Sequence, residues 1–264
     1  MTQITAFPGS GNYDVNHTAA PQRDHPGIAR RRWMPRIMLG LFTVATAFCV
    51  PLSIAATTPA AGDAYVYRLV NGYNRETVGH VRHEFTPATT AQGLVVSVTV
   101  DIPSLGVPHT EIFTPDGLWL RHPLDNHGIA VDYEFTPALP VYLSPLTPGK
   151  SWSVRVNAKA AGEYANRSVR IDGEVLGNER IRVPAGEFDT VKIRRIIYPG
   201  DAGDFKTETR IVEFDWYAPA LGRTVRSETR SDWRQLQGCR RGYCDYHGDW
   251  NVLELTEADS GFRN

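Results

Sequence analysis

The sequence lacks the short motifs that usually mark catalysis. Its 264 residues contain no Gly-x-Ser-x-Gly nucleophile elbow, no Gly-rich phosphate loop and no dinucleotide fingerprint after a predicted strand. It also lacks an excess of charge, because the formal net charge is -1 and the pI is near 6.7. A near-neutral chain has no general attraction to polyanions. The sequence therefore disfavours a familiar catalytic mechanism and predicts no nucleic-acid partner.

Cysteine is scarce, since the chain has only Cys49, Cys239 and Cys244. Cys49 lies in an apolar N-terminal segment, and the bulky Phe48 before it argues against lipidation there. The other two form the sequence CRRGYC, which in an oxidising compartment favours a disulfide-closed loop that stabilises by about 2 kcal/mol. Two free or buried thiols are the alternative. A zinc site would need two more ligands nearby, so no metal or cofactor is predicted.

One long apolar run is present, at residues 37–56 (IMLGLFTVATAFCVPLSIAA), and it follows Arg30, Arg31, Arg32 and Arg36. This pattern is typical of an export signal, with cleavage near Ala55 or Ala56. The alternative is an uncleaved anchor at the inner membrane. Both place the body of the protein outside the cytoplasm, periplasmic or secreted. Membrane contact is expected only through 37–56, and only if the segment stays uncleaved.

The rest of the chain divides around this segment. Residues 1–36 are polar and rich in Gly, Pro and Asn, which predicts a disordered N-region. A translation start at Met34 is an alternative that gives a compact signal. We predict one all-β domain over 63–257 and a tail over 258–264.

Apolar and polar residues alternate with a period of two through most of the chain, and no helical period interrupts them. Counting these runs predicts about a dozen strands between Tyr65 and Leu255, with a hairpin cue at Asn71-Gly72. Residues 158–167 are expected to form a loop. At least one of the runs 129–135 and 141–143, which flank Pro137 and Pro140, is expected to be an edge strand or an extended loop. The predicted fold is an all-β antiparallel meander that forms a barrel or a two-sheet sandwich.

The alternation also predicts which face of its strand each side chain lies on. Residues of one parity in 223–234 are expected on the covered side and their charged neighbours on the solvent side, and the covered set is Val225, Ser227, Thr229, Ser231 and Trp233. By the same reasoning Val212, Phe214 and Trp216 share the covered face of the preceding strand. Glu213 and Asp215 are then expected to face solvent.

Three residues are the best candidates for chemistry, namely His122, Asp125 and His127. Two histidines and a carboxylate can bind zinc or hold a general base beside a water, and His109, Glu111 and Asp132 are close in sequence. The alternative is a turn, because Pro123, Asp125, Asn126 and Gly128 are turn residues. On this alternative the side chains bond their own backbone.

The aromatic residues suggest ligand binding instead. Trp119, Trp152 and Trp216 are candidates to line a barrel that holds an apolar or sugar-like molecule, although tryptophan in β proteins often only packs. Arginine is frequent near the C-terminal end of the chain, and these side chains are expected mostly on the solvent-facing side of the sheet. The set is Arg223, Arg226, Arg230, Arg234, Arg240 and Arg241.

Two segments carry a resemblance to known proteins, VPAGEF at Val183–Phe188 and WYAPALG at Trp216–Gly222. They are similar to signatures of a bacterial family of exported all-β proteins of unknown function. The resemblance implies the fold class and an extracytoplasmic location, and it implies no catalytic residues.

These observations favour a non-enzymatic envelope protein that binds an apolar ligand or another envelope protein. A metal-assisted hydrolase using His122, Asp125 and His127 is the first alternative. The second is a structural or assembly partner in the periplasm that uses sheet edges and the loops near Pro137 and Cys239.

Overall fold

The computed structural model describes residues 61–87, 94–101, 108–114, 116–162, 166–203, 205–240 and 242–259. The predicted N-region and the predicted signal or anchor lie outside the described residues, as does Met34. Within the described ranges, no helix is long and apolar enough to cross a membrane.

The described residues form thirteen β-strands. Their bounds are β1 (Ala64–Asn71), β2 (Thr77–Pro87), β3 (Leu94–Val100), β4 (His109–Phe113), β5 (Trp119–Asn126), β6 (Ile129–Leu139), β7 (Ser151–Ala160), β8 (Asn166–Val183), β9 (Gly186–Tyr198), β10 (Arg210–Ala218), β11 (Arg223–Gln235), β12 (Cys244–His247) and β13 (Asn251–Asp259).

The strands pair in sequence order from β1 to β11, and β13 inserts between β11 and β1. The β10–β11 pairing closes the ring, which contains every strand except β12, and β12 pairs with the outer part of β11. All these pairings are antiparallel. The predicted all-β antiparallel meander is therefore confirmed, and of the two predicted forms it is the barrel that is present.

Two local predictions differ from the structure. β7 continues to Ala160 and β8 begins at Asn166, so half of the expected loop at 158–167 is strand. Of the two runs beside Pro137 and Pro140, 129–135 belongs to β6, and 141–143 lies in the connection between β6 and β7, which turns toward the barrel interior. There the hydroxyl of Tyr142 donates a hydrogen bond to Asp215 on β10. The last strand also extends as far as Asp259.

Antiparallel order places alternate connections at the same end of the barrel. We call the end that carries the β4–β5, β6–β7 and β10–β11 connections the rim end. Arg223, the first residue of β11, lies at this end. The predicted disulfide is formed, and it joins Cys239 in the connection before β12 to Cys244, the first residue of β12, with the two Cα atoms 5.7 Å apart.

Candidate functional site

The barrel encloses a cavity of about 610 Å³, a size within the range that holds small organic ligands. Residues from ten strands line it, including Leu69 of β1, Val98 of β3, Arg195 of β9 and Leu253 of β13. The exposed lining residues Asp116, Gly117 and Ser144 belong to rim-end connections, so the cavity reaches the surface at the rim end, and the exposed lining residues Ala130 and Asn251 lie near the opposite end.

One side of the cavity is apolar. Tyr67 and Leu69 on β1, Val81 on β2 and Val98 on β3 are all buried lining residues, and Leu253 on β13 packs against the same cluster. They meet because β1 pairs with both β2 and β13, which places Tyr67 opposite Val81 and Leu69 opposite Leu253. We call this surface the apolar wall.

The opposite side carries a buried ion-pair cluster. Arg195 Nη2 lies 2.5 Å from Asp215 Oδ2 and 2.7 Å from Glu213 Oε2, and the Arg195 side chain is 6% exposed. Tyr142 donates to Asp215 at 2.9 Å, and its ring lies under the guanidinium with 5.0 Å from Cζ to the ring centroid. A buried guanidinium with two carboxylates and an aromatic ring is electrostatically compensated.

Burial and mutual charge set the pKa values of this cluster. Burial raises the pKa of Glu213 and nearby Asp215 adds to the rise, while Arg195 opposes both. Burial disfavours the charge of Arg195, but Asp215 and Glu213 outweigh it and hold its pKa above the ordinary value. Burial, followed by the charge of Asp215, also raises the pKa of Tyr142. The cluster therefore keeps Arg195 charged and Tyr142 a hydrogen-bond donor.

The position of Glu213 and Asp215 corrects the sequence prediction for β10. Both carboxylates line the cavity rather than face solvent, and Asp215 is 3% exposed. The reason is the register of β9 on β10, which sets Arg195 opposite Glu213 and supplies the compensating charge. The opposite face of β10 is also largely covered, since Val212 and Trp216 are buried.

A second polar group lies beside this cluster on β4 and β5. Glu111 Oε1 is 3.3 Å from His122 Nδ1 and 3.5 Å from His109 Nε2, and the His122 ring stacks on Trp119 with 3.6 Å between centroids. Burial disfavours the Glu111 carboxylate, but the two histidines outweigh it and hold its pKa well below the ordinary value. Within the described ranges, no group of three or more His, Cys, Asp or Glu is placed to hold a metal ion.

The third polar group is a pair at the rim end. Arg223 Nη2 donates to His83 Nδ1 at 2.6 Å, and its guanidinium lies over Phe85 and Tyr65 at 4.5 and 5.3 Å from the ring centroids. To accept this bond Nδ1 must be unprotonated, so the proton of the neutral imidazole is on Nε2. Burial, followed by the charge of Arg223, lowers the pKa of His83 to about 3.

His83 gives a prediction about acid stability. An unfolded histidine titrates near pH 6.5, whereas folded His83 stays neutral down to about pH 3. Between these values the unfolded chain binds one more proton, so His83 lowers the free energy of unfolding as the pH falls, by at most about 1.4 kcal/mol per pH unit. In His83→Gln the amide oxygen still accepts from Arg223 but does not titrate. We expect urea denaturation from pH 7 to pH 4 to give a shallower acid loss for the variant, and parallel curves would contradict this.

The structure separates the three residues predicted for chemistry. His122 lies in the cavity wall, whereas Asp125 lies at the end of β5 next to the β5–β6 turn and His127 lies in that turn. Asp125 accepts from the Gly128 amide at 2.8 Å and from the Ser231 hydroxyl at 3.0 Å. His127 Nε2 lies 3.0 Å from the Thr207 carbonyl oxygen. The Asp125 and His127 contacts tie the turn to neighbouring segments, and the three side chains do not form one site.

The predicted tryptophans are likewise divided. Trp119 lines the cavity, but Trp152 and Trp216 are not among its lining residues. Trp152 covers Gly173 on the neighbouring strand β8. Trp216 donates from Nε1 to Glu179 at 2.9 Å and lies beneath Lys192. These two side chains pack and do not contribute to the cavity.

Most of the predicted arginine set faces outward, with one exception. Arg226 pairs with Glu228 and Glu254, Arg234 pairs with Asp245, and Arg230 is exposed, while Arg241 lies outside the described residues. Arg223 lines the cavity. Sequence reasoning missed Arg223, Arg195, Tyr142 and His83 as site residues. The period-two pattern could have indicated two of them. Arg223 is two residues from the buried Val225, and Arg195 is two residues from the buried Ile193 and Ile197, so each arginine lies on the same strand face as buried residues.

No family model and no curated protein sequence matches the chain. Among solved structures, it is similar to a candidate lipoprotein of Parabacteroides distasonis, with 14% identity, a TM-score of 0.42, and 76% of this chain and 97% of that chain covered. It is also similar to a candidate exported protein of Bacteroides fragilis with a YmcC-like fold, with 14% identity, a TM-score of 0.41, and 78% of this chain and 99% of that chain covered. For the hypothetical lipoprotein YmcC of Escherichia coli the identity is 11% and the TM-score is 0.32, with 75% of this chain and 85% of that chain covered. The similarity to these exported or lipoprotein-class bacterial proteins is distant.

Proposed function

We propose that this protein is a non-enzymatic, extracytoplasmic binding module that takes up one elongated, mostly apolar small molecule in its barrel. The observation that carries the proposal is the 610 Å³ cavity with its apolar wall. Burying the apolar surface of a ligand there releases water from both partners, which stabilises the complex by about 25 cal/mol per Å² of apolar surface buried. The leader pattern at 37–56 supports the extracytoplasmic location.

The polar side of the cavity supports binding rather than a metal-assisted reaction. Arg195 is already paired with two carboxylates, and Glu111 with two histidines. Such paired groups hold the walls in place and orient a ligand. The open rim end gives the ligand a path into the barrel.

A neutral fluorescent probe tests the proposal. We expect N-phenylnaphthylamine to bind the purified domain with a stoichiometry of one, with a blue-shifted, enhanced emission. Val98 lines the cavity and is 3% exposed, so Val98→Phe places a ring in the cavity and should weaken binding at least about tenfold, or about 1.4 kcal/mol.

The matched control is Thr99→Phe, because Thr99 is the next residue of β3 and is exposed on the opposite face. This variant should bind the probe as the unaltered protein does. Circular dichroism and urea denaturation establish that both variants are folded. Absence of saturable binding to the unaltered protein, or equal binding by both variants, would contradict the proposal.

A further inference from the structure

Resting on the proposed function, we infer that the ligand is an amphipathic anion, a long apolar chain ending in a carboxylate-like group, and that Arg223 binds its head. The bound ligand would place the head at the rim end and the chain along the apolar wall. The apolar wall supplies the contacts with the hydrocarbon chain, and the Arg223 guanidinium supplies the positive charge that binds the head.

The first argument is the pairing of the charged side chains in the cavity. Arg195 forms ion pairs with Asp215 and Glu213, and the Glu111 carboxylate lies within 3.5 Å of ring nitrogens of His109 and His122. Arg223 forms no ion pair with any carboxylate in the described part of the chain, and its hydrogen-bond partner His83 is neutral. Its Nε is buried and makes no hydrogen bond within the described ranges. A partly buried guanidinium without a counter-ion favours an anionic ligand.

The second argument is the geometry of the wall. Arg223 begins β11 at the rim end, and Ser227, four residues further along, pairs with Leu253 of the apolar wall. Four residues of strand span about 13 Å. The hydrogen-bond partner of Arg223 is His83, and His83 is two residues from Val81 of the apolar wall, a distance of about 7 Å along β2. An apolar chain that starts at Arg223 therefore runs directly along the wall.

The alternative head site is Arg195, whose Nε and Nη1 are buried and make no hydrogen bond within the described ranges. Its guanidinium lies 2.5 and 2.7 Å from Asp215 and Glu213, so an added anion would be repelled by two carboxylates. It is also covered by the rings of Tyr142 and Trp119, with 5.0 and 5.5 Å from Cζ to the centroids. Arg223 is therefore the favoured partner.

A set of ligands with one chain and different heads tests the assignment. Dodecanoate, dodecanol and dodecylamine are titrated against the domain below their critical micelle concentrations, with displacement of N-phenylnaphthylamine as the readout. We expect dodecanoate to bind at least about tenfold more tightly than dodecanol, and dodecylamine to bind more weakly than dodecanol, because of the charge of Arg223.

The variants separate charge from structure. Arg223→Gln should bring the affinity for dodecanoate to within about twofold of that for dodecanol, whereas Arg223→Lys keeps the positive charge and should retain a preference of several-fold. Arg230→Gln is the matched control, since Arg230 lies on the same strand and is exposed. It removes the same charge and should leave all three affinities unchanged. Each variant must bind the neutral probe as the unaltered protein does, which shows that its cavity is intact.

The outcomes distinguish the two proposals. If no ligand displaces the probe and the probe itself does not bind, the proposed function fails. If the three ligands bind equally, or if Arg223→Gln and Arg230→Gln have the same effect, the cavity binds apolar molecules and the assignment of Arg223 is overturned. A preference for dodecanoate that persists in Arg223→Gln would also overturn it and would favour Arg195.

Discussion

Replacing Arg195 by methionine is expected to lower the free energy of unfolding by about 3–5 kcal/mol. The change leaves Glu213 and Asp215 buried beside each other without a cation, and removes the guanidinium from between the rings of Trp119 and Tyr142. The methionine side chain retains much of the apolar volume, so the decrease in the free energy of unfolding reports the removal of the positive charge. Urea denaturation at pH 7 gives the value.

Arg194→Met is the control, because Arg194 is the neighbouring residue and its ion pair with Glu174 is exposed, at 45% and 36% for the two side chains. An exposed pair contributes about 0–1 kcal/mol, so this variant should remain near the stability of the unaltered protein. Lower pH should relieve part of the Arg195→Met loss, because the carboxylates left without a cation can protonate. Equal, small losses for the two variants would contradict the placement of Arg195 in the barrel interior.

Replacing Gly173 by alanine is expected to cost about 3 kcal/mol, which is large for one methyl group. A Cβ at this position would lie 2.1 Å from Cε2 of Trp152, the residue opposite it in the β7–β8 pairing. Trp152 is buried in a cluster with Val175 and Ile193, so its ring cannot move aside without opening the core. The glycine is required by the close approach of this ring.

A double-mutant cycle isolates that contact. In a Trp152→Ala background the methyl group of Gly173→Ala has room, and alanine should then be neutral or stabilise by up to about 1 kcal/mol, because glycine is unfavourable within a strand. Gly203→Ala, at a site with no heavy atom within 4 Å of the added Cβ, should stay within about 0.5 kcal/mol. Additive losses in the cycle would show that Trp152 does not cover Gly173.

The local pattern of apolar and polar residues was sufficient to predict the strands and, for many side chains, whether they lie inside or outside the barrel. Period-two alternation predicts β11 correctly, since Val225 is buried and Ser227 and Thr229 line the cavity. The disulfide was also predictable, because CRRGYC places both cysteines in one short loop. These features depend on residues close in sequence, whose chemistry decides their structure without help from distant strands.

The interior of the barrel could not be predicted in the same way. Glu213 and Asp215 are charged residues whose burial depends on Arg195, which reaches them through the β9–β10 register. Closure of the ring depends on the pairing of β1 with β13, whose sequences are separated by almost the whole domain. Neither the register nor the closure is encoded in any local period, and the cavity exists only because of both.

The same limit explains the choice of candidate residues. His122, Asp125 and His127 are close in sequence, yet the strand and its turn carry them to different surroundings. Arg223 and His83 are 140 positions apart in sequence and meet at 2.6 Å. A binding site lined by ten strands is assembled from such distant pairs, so proximity along the chain is a poor guide to it.

Native mass spectrometry of the domain purified from cells that produce it tests the central claim most directly. We expect one bound small molecule per protein, with fragmentation showing a long apolar chain and one acidic group, and we expect the Val98→Phe variant to carry none. A ligand-free mass for the unaltered protein, both as isolated and after incubation with dodecanoate, would contradict the account.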